Sequence, residues 1–223
     1  MQFFRNNRLV LFIVLFLILI LGYRFLILRN EKHWVRVRVT IPEGYDISDI
    51  AGIFAIKLPR FSTDKFLLEA KNKDGYLFPD TYVFSNTDNE EDVIRVMSDN
   101  FGKKITPLLS EIFSGGKRLK EIIILASIIE KEAKGDNDRG FISDVLWKRI
   151  NTGMPLQVDS VPETYKSKGL PKNPICNPGL EAIKAAIYPE HSPYLYYLHD
   201  KDGNVHYAKT FTEHKANKLK YLK

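Results

Sequence analysis

Between two basic flanks the chain carries LVLFIVLFLILILGYRFLIL, Leu9 to Leu28. These 20 residues hold one charge, Arg24, near enough to the end of the run for its side chain to snorkel. That is the apolar length a helix needs to cross a hydrocarbon core, so the run is read as a single membrane-spanning helix. A cleaved leader with Arg5 and Arg8 as its charged start is the competing reading, but the run is long for one and no A-x-A site follows it. Arg5 and Arg8 on one side face Arg24, Arg29 and Lys32 on the other, so the count of basic residues does not orient the helix. The short preceding tail favours a cytoplasmic N-terminus and an exported body.

Beyond the run the texture is that of a globular chain. Apolar and basic residues alternate through HWVRVRV, the period of a half-buried strand, until Pro42 and Gly44 end it. Two amphipathic helices follow, capped by Asp46 or Ser48 and by Ser62 or Thr63. The stretch GYLFPDTYVFS has a proline at its centre and predicts a bend between two short extended pieces. A helix is expected over residues 88–112, another over 120–134, and a third ending at Gly153. The proline-rich and glycine-rich segment that follows reads as a loop, LEAIKAAIY as a short helix, and the aromatic flanks of Asp202-Gly203 as a β-hairpin before a terminal helix. Strands and helices in this order make an α+β fold.

The helix over 120–134, KEIIILASIIEKEAK, ends in two glutamates, Glu130 and Glu132. Two positions apart on a helix is about 200° of rotation, so the two carboxylates cannot serve one site together. Glu132 follows Ile129, Ile128 and Leu125 at helical spacing, whereas Glu130 follows Ser127, Ala126 and Ile123. A carboxyl group on the greasier stripe loses hydration, which favours the protonated, proton-donating form, and on that ground Glu132 is the better general acid. Ordinary solvated charges at a helix end remain the alternative, and periodicity alone does not decide between them.

Several motifs in order do. LASIIEKEA, VLWKRINTGMPLQVD, GLPKNPICNPGLEAIKAAIYPEHSPYLYYLHDKDGNVHY and EHK resemble the MltG/YceG family of membrane-anchored endolytic murein transglycosylases. TIPEG resembles that family's LysM-like region, and GYLFPDTY the start of its catalytic domain. The resemblance implies three parts: a tail, membrane helix and juxtamembrane segment (1–33), a reduced LysM-like module (34–74) and a YceG-like catalytic domain (75–223). It implies a lyase that cuts the β-1,4 bond between N-acetylmuramic acid and N-acetylglucosamine in peptidoglycan glycan strands, leaving 1,6-anhydromuramic ends on nascent strands. It places the catalytic carboxylate on Glu132 and the body outside the cytoplasmic membrane, with the cell-wall synthesis machinery as a further partner. Tyr82, Gln157, Asp159, Tyr165 and Asn177 match polar or aromatic family positions suited to binding a sugar or orienting Glu132, with Glu130 in a supporting role. Each of these has a structural alternative: a turn cap for Asp159, the Pro178-Gly179 bend for Asn177, the core for Tyr82.

Other chemistries have less behind them. Cys176 is the only cysteine, has no activating neighbour in sequence and reads as a small buried residue. His191, His199, His206 and His214 lack metal-ligand spacing, so no metal and no cofactor are expected. The formal net charge of +6 suits anionic lipid or an acidic polymer, but the basic residues are scattered among acids and match no nucleic-acid motif. The non-enzymatic alternative is a membrane-anchored peptidoglycan-binding or division scaffold without turnover.

Overall fold

The computed structural model describes residues 15–24, 35–135 and 138–222. The chain forms two compact units, Met1–Val35 and Arg36–Lys223. In the first, residues 15–24 are helical (α1). The rest of the expected span, residues 9–14 and 25–28, lies outside the described residues, and no described helix is long and apolar enough to cross a membrane.

The second unit opens with β1 (Arg36–Thr40), α2 (Ile47–Lys57), α3 (Thr63–Glu69) and β2 (Thr81–Ser85). Asp46 caps α2 by accepting from the Ser48 and Asp49 amides, and Ser62 caps α3 by accepting from Lys65 N. β1 pairs antiparallel with β2, Val39 opposite Tyr82 and Val37 opposite Phe84. The helices lay Ile50, Phe54 and Phe66 under these strands, with Phe54 edge-on to Phe84 at 5.1 Å between ring centroids. Val93 and Met97 of α4 (Glu90–Ile105) belong to the same cluster. The boundary expected at Asp74 therefore falls inside one hydrophobic core: β1 alone leaves its ladder open and closes it only on β2, inside the stretch assigned to the next domain. The single helix expected over residues 88–112 is broken as well. After α4 come a 3₁₀ turn at Thr106–Leu108 and α5 (Leu109–Ser114), because Pro107 has no amide to continue the α-helical ladder.

The second core surrounds α6 (Leu119–Glu132), which packs against α7 (Arg139–Asn151) and α8 (Leu180–Ile187). Every residue from Ile122 to Ile129 is buried. A helix enclosed on all sides has no single apolar stripe. Between α7 and α8 the chain is irregular apart from a 3₁₀ turn at Pro162–Tyr165. Buried Thr164 organises it: its hydroxyl donates to Val161 O at 2.6 Å and accepts from Val158 N at 3.1 Å, while its carbonyl accepts from Gln157 N. Closing the loop this tightly puts Gln157 at φ +52°, in the left-handed region. The hairpin of β3 (Tyr196–His199) and β4 (Val205–Ala208) turns at Asp202-Gly203 as expected, and α9 (Phe211–Tyr221) packs on it. Two separate two-stranded antiparallel sheets set among helices make the described unit α+β.

Candidate active site

The C-terminal turn of α6 delivers its two glutamates to different places. Glu130 points at the start of α8, where one oxygen accepts from Gly179 N at 2.9 Å and the other lies 3.8 Å from an Arg139 guanidinium nitrogen. Its side chain is only 9% exposed. A carboxylate at a helix N-terminus meets an unpaired amide and the positive end of the helix dipole, so this is a structural bond between α6 and α8.

Glu132, rotated to the other side, reaches the irregular loop and the hairpin. Its Oε1 accepts from Ser160 Oγ at 2.7 Å and from Ser160 N at 3.3 Å, and its Oε2 accepts from Tyr197 Oη at 3.1 Å. Beside it Tyr165 Oη donates to Asp159 at 2.5 Å. Burial, reinforced by the Glu132 carboxylate, holds the Tyr197 phenol well above its usual range. The hydrogen bond to Asp159, helped by burial, pushes Tyr165 up to about 12. Both phenols therefore keep their protons at neutral pH. The carboxylate of Glu132 ends among hydroxyls, and the apolar surroundings expected from Leu125, Ile128 and Ile129 are not what it meets. Those three side chains lie wholly in the core.

The structure thus gathers Glu132, Asp159 and Tyr165 of the residues singled out from sequence. Gln157 is exposed on the same loop, two residues before Asp159. Tyr82 is elsewhere: it is buried in the first core, where its hydroxyl donates to Phe78 O at 2.5 Å and accepts from Asn100 at 3.0 Å, and burial lifts its pKa to about 12. Asn177 is fully buried, its Oδ1 accepting from Leu77 N and its Nδ2 donating to Tyr45 O, each at 2.9 Å. Both ends of that side chain are engaged within the fold, which leaves neither for a sugar. Cys176 is buried as well, and burial raises its thiol to about 12. Among the described residues no group of His, Cys, Asp or Glu side chains is arranged to hold a metal ion.

Sequence reading passed over Ser160, Tyr197 and Arg149. Ser160 directly follows LQVD and was legible only as a loop residue. Tyr197 sits in an aromatic-rich strand where many rings compete for attention, and hairpin alternation puts it, with His199, on one face of that strand. Arg149 is a buried cation on α7 close to both segments.

The sequence pattern of the YceG-like family matches residues 25–162 and 163–220. The chain belongs to the YceG-like family. Among its relatives, a protein of Bacillus subtilis (strain 168) named endolytic murein transglycosylase is 33% identical over 67% of this chain and 48% of its own length. A Streptococcus pneumoniae (strain D39) protein of the same name is 27% identical over 84% of this chain and 45% of its own length. The chain spans about half the length of these curated relatives. The crystal structure of a YceG-like protein from Listeria monocytogenes has a TM-score of 0.75 and 29% identity to this chain, covering 81% of it and 75% of the Listeria protein. This YceG-like chain thus shares both fold and sequence pattern with the family.

Proposed function

We propose that this YceG-like protein is an endolytic lytic transglycosylase that cleaves the N-acetylmuramic acid to N-acetylglucosamine β-1,4 bond of peptidoglycan strands, with Glu132 as its single acid and base. The observation that carries this is the identity of Glu132's side-chain partners, both hydroxyls. A hydroxyl donates to a carboxylate and can equally accept from a carboxylic acid, so Ser160 and Tyr197 hold the side chain in either protonation state. That suits a group that changes state in mid-reaction.

In the first step Glu132 protonates the glycosidic oxygen, the C1–O bond breaks and positive charge builds on the muramic ring carbon and oxygen. Stabilising that charge is the role we assign to Asp159, whose carboxylate accepts a hydrogen bond from Tyr165. In the second step the Glu132 carboxylate takes the proton of the muramic C6 hydroxyl as that oxygen closes onto C1. Water is not consumed, and Glu132 ends protonated again. The names of the Bacillus and Streptococcus relatives support the same substrate class.

The deciding experiment is incubation with purified glycan strands, followed by mass spectrometry. Anhydromuramic ends are expected; reducing ends, or uncut strands, would remove the proposal. The polymer lies outside the cytoplasmic membrane, so we place the body there, tethered by Leu9–Leu28, with the strand–helix–helix region near its N-terminus assisting glycan binding in the manner of a LysM module. A reporter fused after Lys223 should read as exported, and a cytoplasmic signal would remove this placement.

A further inference from the structure

Arg149 is 4% exposed, and its partners are uncharged: Nε donates to Leu195 O at 2.9 Å, Nη1 donates to Leu156 O, and the guanidinium lies 5.3 Å from the centre of the Tyr196 ring. A guanidinium stays charged in proteins, and burying one against carbonyls alone is costly, so the arrangement needs a reason beyond filling space. The two carbonyls supply it. Leu156 immediately precedes strained Gln157 and lies at the root of the loop that brings Ser160 to one oxygen of Glu132. Leu195 lies two residues before Tyr197, which donates to the other oxygen. These segments belong to a loop and a hairpin that are separate in sequence, and the guanidinium on α7 bridges them.

We propose that Arg149 is a positioning residue for catalysis, clamping the 156–160 segment to the first strand of the hairpin and so fixing Ser160 and Tyr197 against the two oxygens of Glu132. The inference rests on the transglycosylase reading and adds to it the element that sets the site's geometry. The planar fork is what makes the clamp: its nitrogens point in fixed directions at two carbonyls on different segments, whereas a lysine ammonium is a single flexible point charge. The charge also opposes the rise in the Tyr197 and Tyr165 phenols that burial and the nearby carboxylates produce.

The test uses the full chain with Arg149→Lys and Arg149→Met, measuring kcat and KM for anhydro-end formation on soluble glycan strands, well below each variant's melting temperature. Because Arg149 acts through other residues and does not face the strand, Arg149→Met should lower kcat on the order of 10²-fold while KM stays within about threefold of wild type. Arg149→Lys should fall in between, keeping the charge but engaging the carbonyls less rigidly. A residue that only stabilises the fold would lower the melting temperature and leave kcat of the folded protein unchanged; that result, or a loss confined to KM, overturns the inference. If Arg149→Met does not fold, Arg149→Lys decides alone, and kcat within about twofold of wild type sinks the clamp. Wild-type protein that makes no anhydro ends removes the functional reading and the inference together. Normal wild-type turnover with unaltered variants removes the inference alone.

Discussion

At the scale of single residues, the two glutamates of the E-K-E motif separate cleanly by what a substitution should disturb. Glu132→Gln keeps the shape and the partners Ser160 and Tyr197 but cannot donate or take back a proton as a carboxyl group does. Turnover should fall ~10²- to 10⁴-fold, with a melting temperature near that of wild type. Glu130→Ala should do the reverse. It orphans the Gly179 amide at the start of α8 and removes the charge facing Arg139, a loss of about 1–3 kcal/mol in unfolding free energy. Chemical denaturation and steady-state kinetics on the same two variants check both halves; a Glu130 variant that is stable but inactive would put the catalytic acid on the wrong residue. The sequence supports the division of labour through the 200° rotation between the two positions. It does not support the reason given for preferring Glu132, because a stripe argument presumes a helix with one wet face, and α6 has none between Ile122 and Ile129.

At the scale of elements, signals local in sequence carried through and signals that depend on distant pairing did not. Asp46 and Ser62 cap the helices they precede, and Asp202-Gly203 turns the hairpin, because a cap or a tight turn is made by neighbours in the chain. The Asp74 boundary cuts across the pairing of β1 with β2, some forty residues on, and no local pattern records that pairing. Ser160 escaped notice for the same reason: its partner Glu132 lies on another element. The hairpin also carries a pH dependence. Asp200 accepts from the Asp202 and Asn204 amides and from the His206 ring at 2.8 Å, and chiefly through that last bond its pKa drops from 3.8 to about 2. A carboxylate depressed by folding binds its proton more weakly in the native than in the unfolded state. Its contribution is therefore complete above about pH 4 and is lost as pH falls through about 2. Asp200→Asn should be less stable than wild type at pH 5, and the gap should narrow as both are acidified from pH 4 to pH 2. Unfolding midpoints measured across that range test this, and a gap that stays constant would mean that Asp200 acts through shape alone.

At the scale of the described body, the region around β1 and β2 and the region around α6 each have a hydrophobic cluster, yet they belong to one compact unit. A set of polar bonds centred on Asn177 joins them. Its side chain spans from Leu77 N to Tyr45 O, its amide donates to Tyr45 O at 2.9 Å, and its carbonyl accepts from Gly44 N at 2.9 Å. From sequence, Asn177 was equally a residue for binding sugar or for holding a bend, since a lone asparagine before Pro-Gly serves both. Burial with both amide ends engaged favours the structural role. Asn177→Ala keeps the two backbone bonds but leaves the Leu77 amide buried without a partner, a cost of about 1–3 kcal/mol, together with a small cavity. Because the lost bonds lie between the two clusters, unfolding should become less cooperative as well as easier, the region around β1 and β2 melting ahead of the region around α6. Hydrogen exchange should show earlier exposure in α2 and α3 than in α6, and turnover per folded molecule should stay within a few-fold of wild type. A variant of unchanged stability with lost glycan binding would return Asn177 to the substrate and leave the two clusters joined by something else.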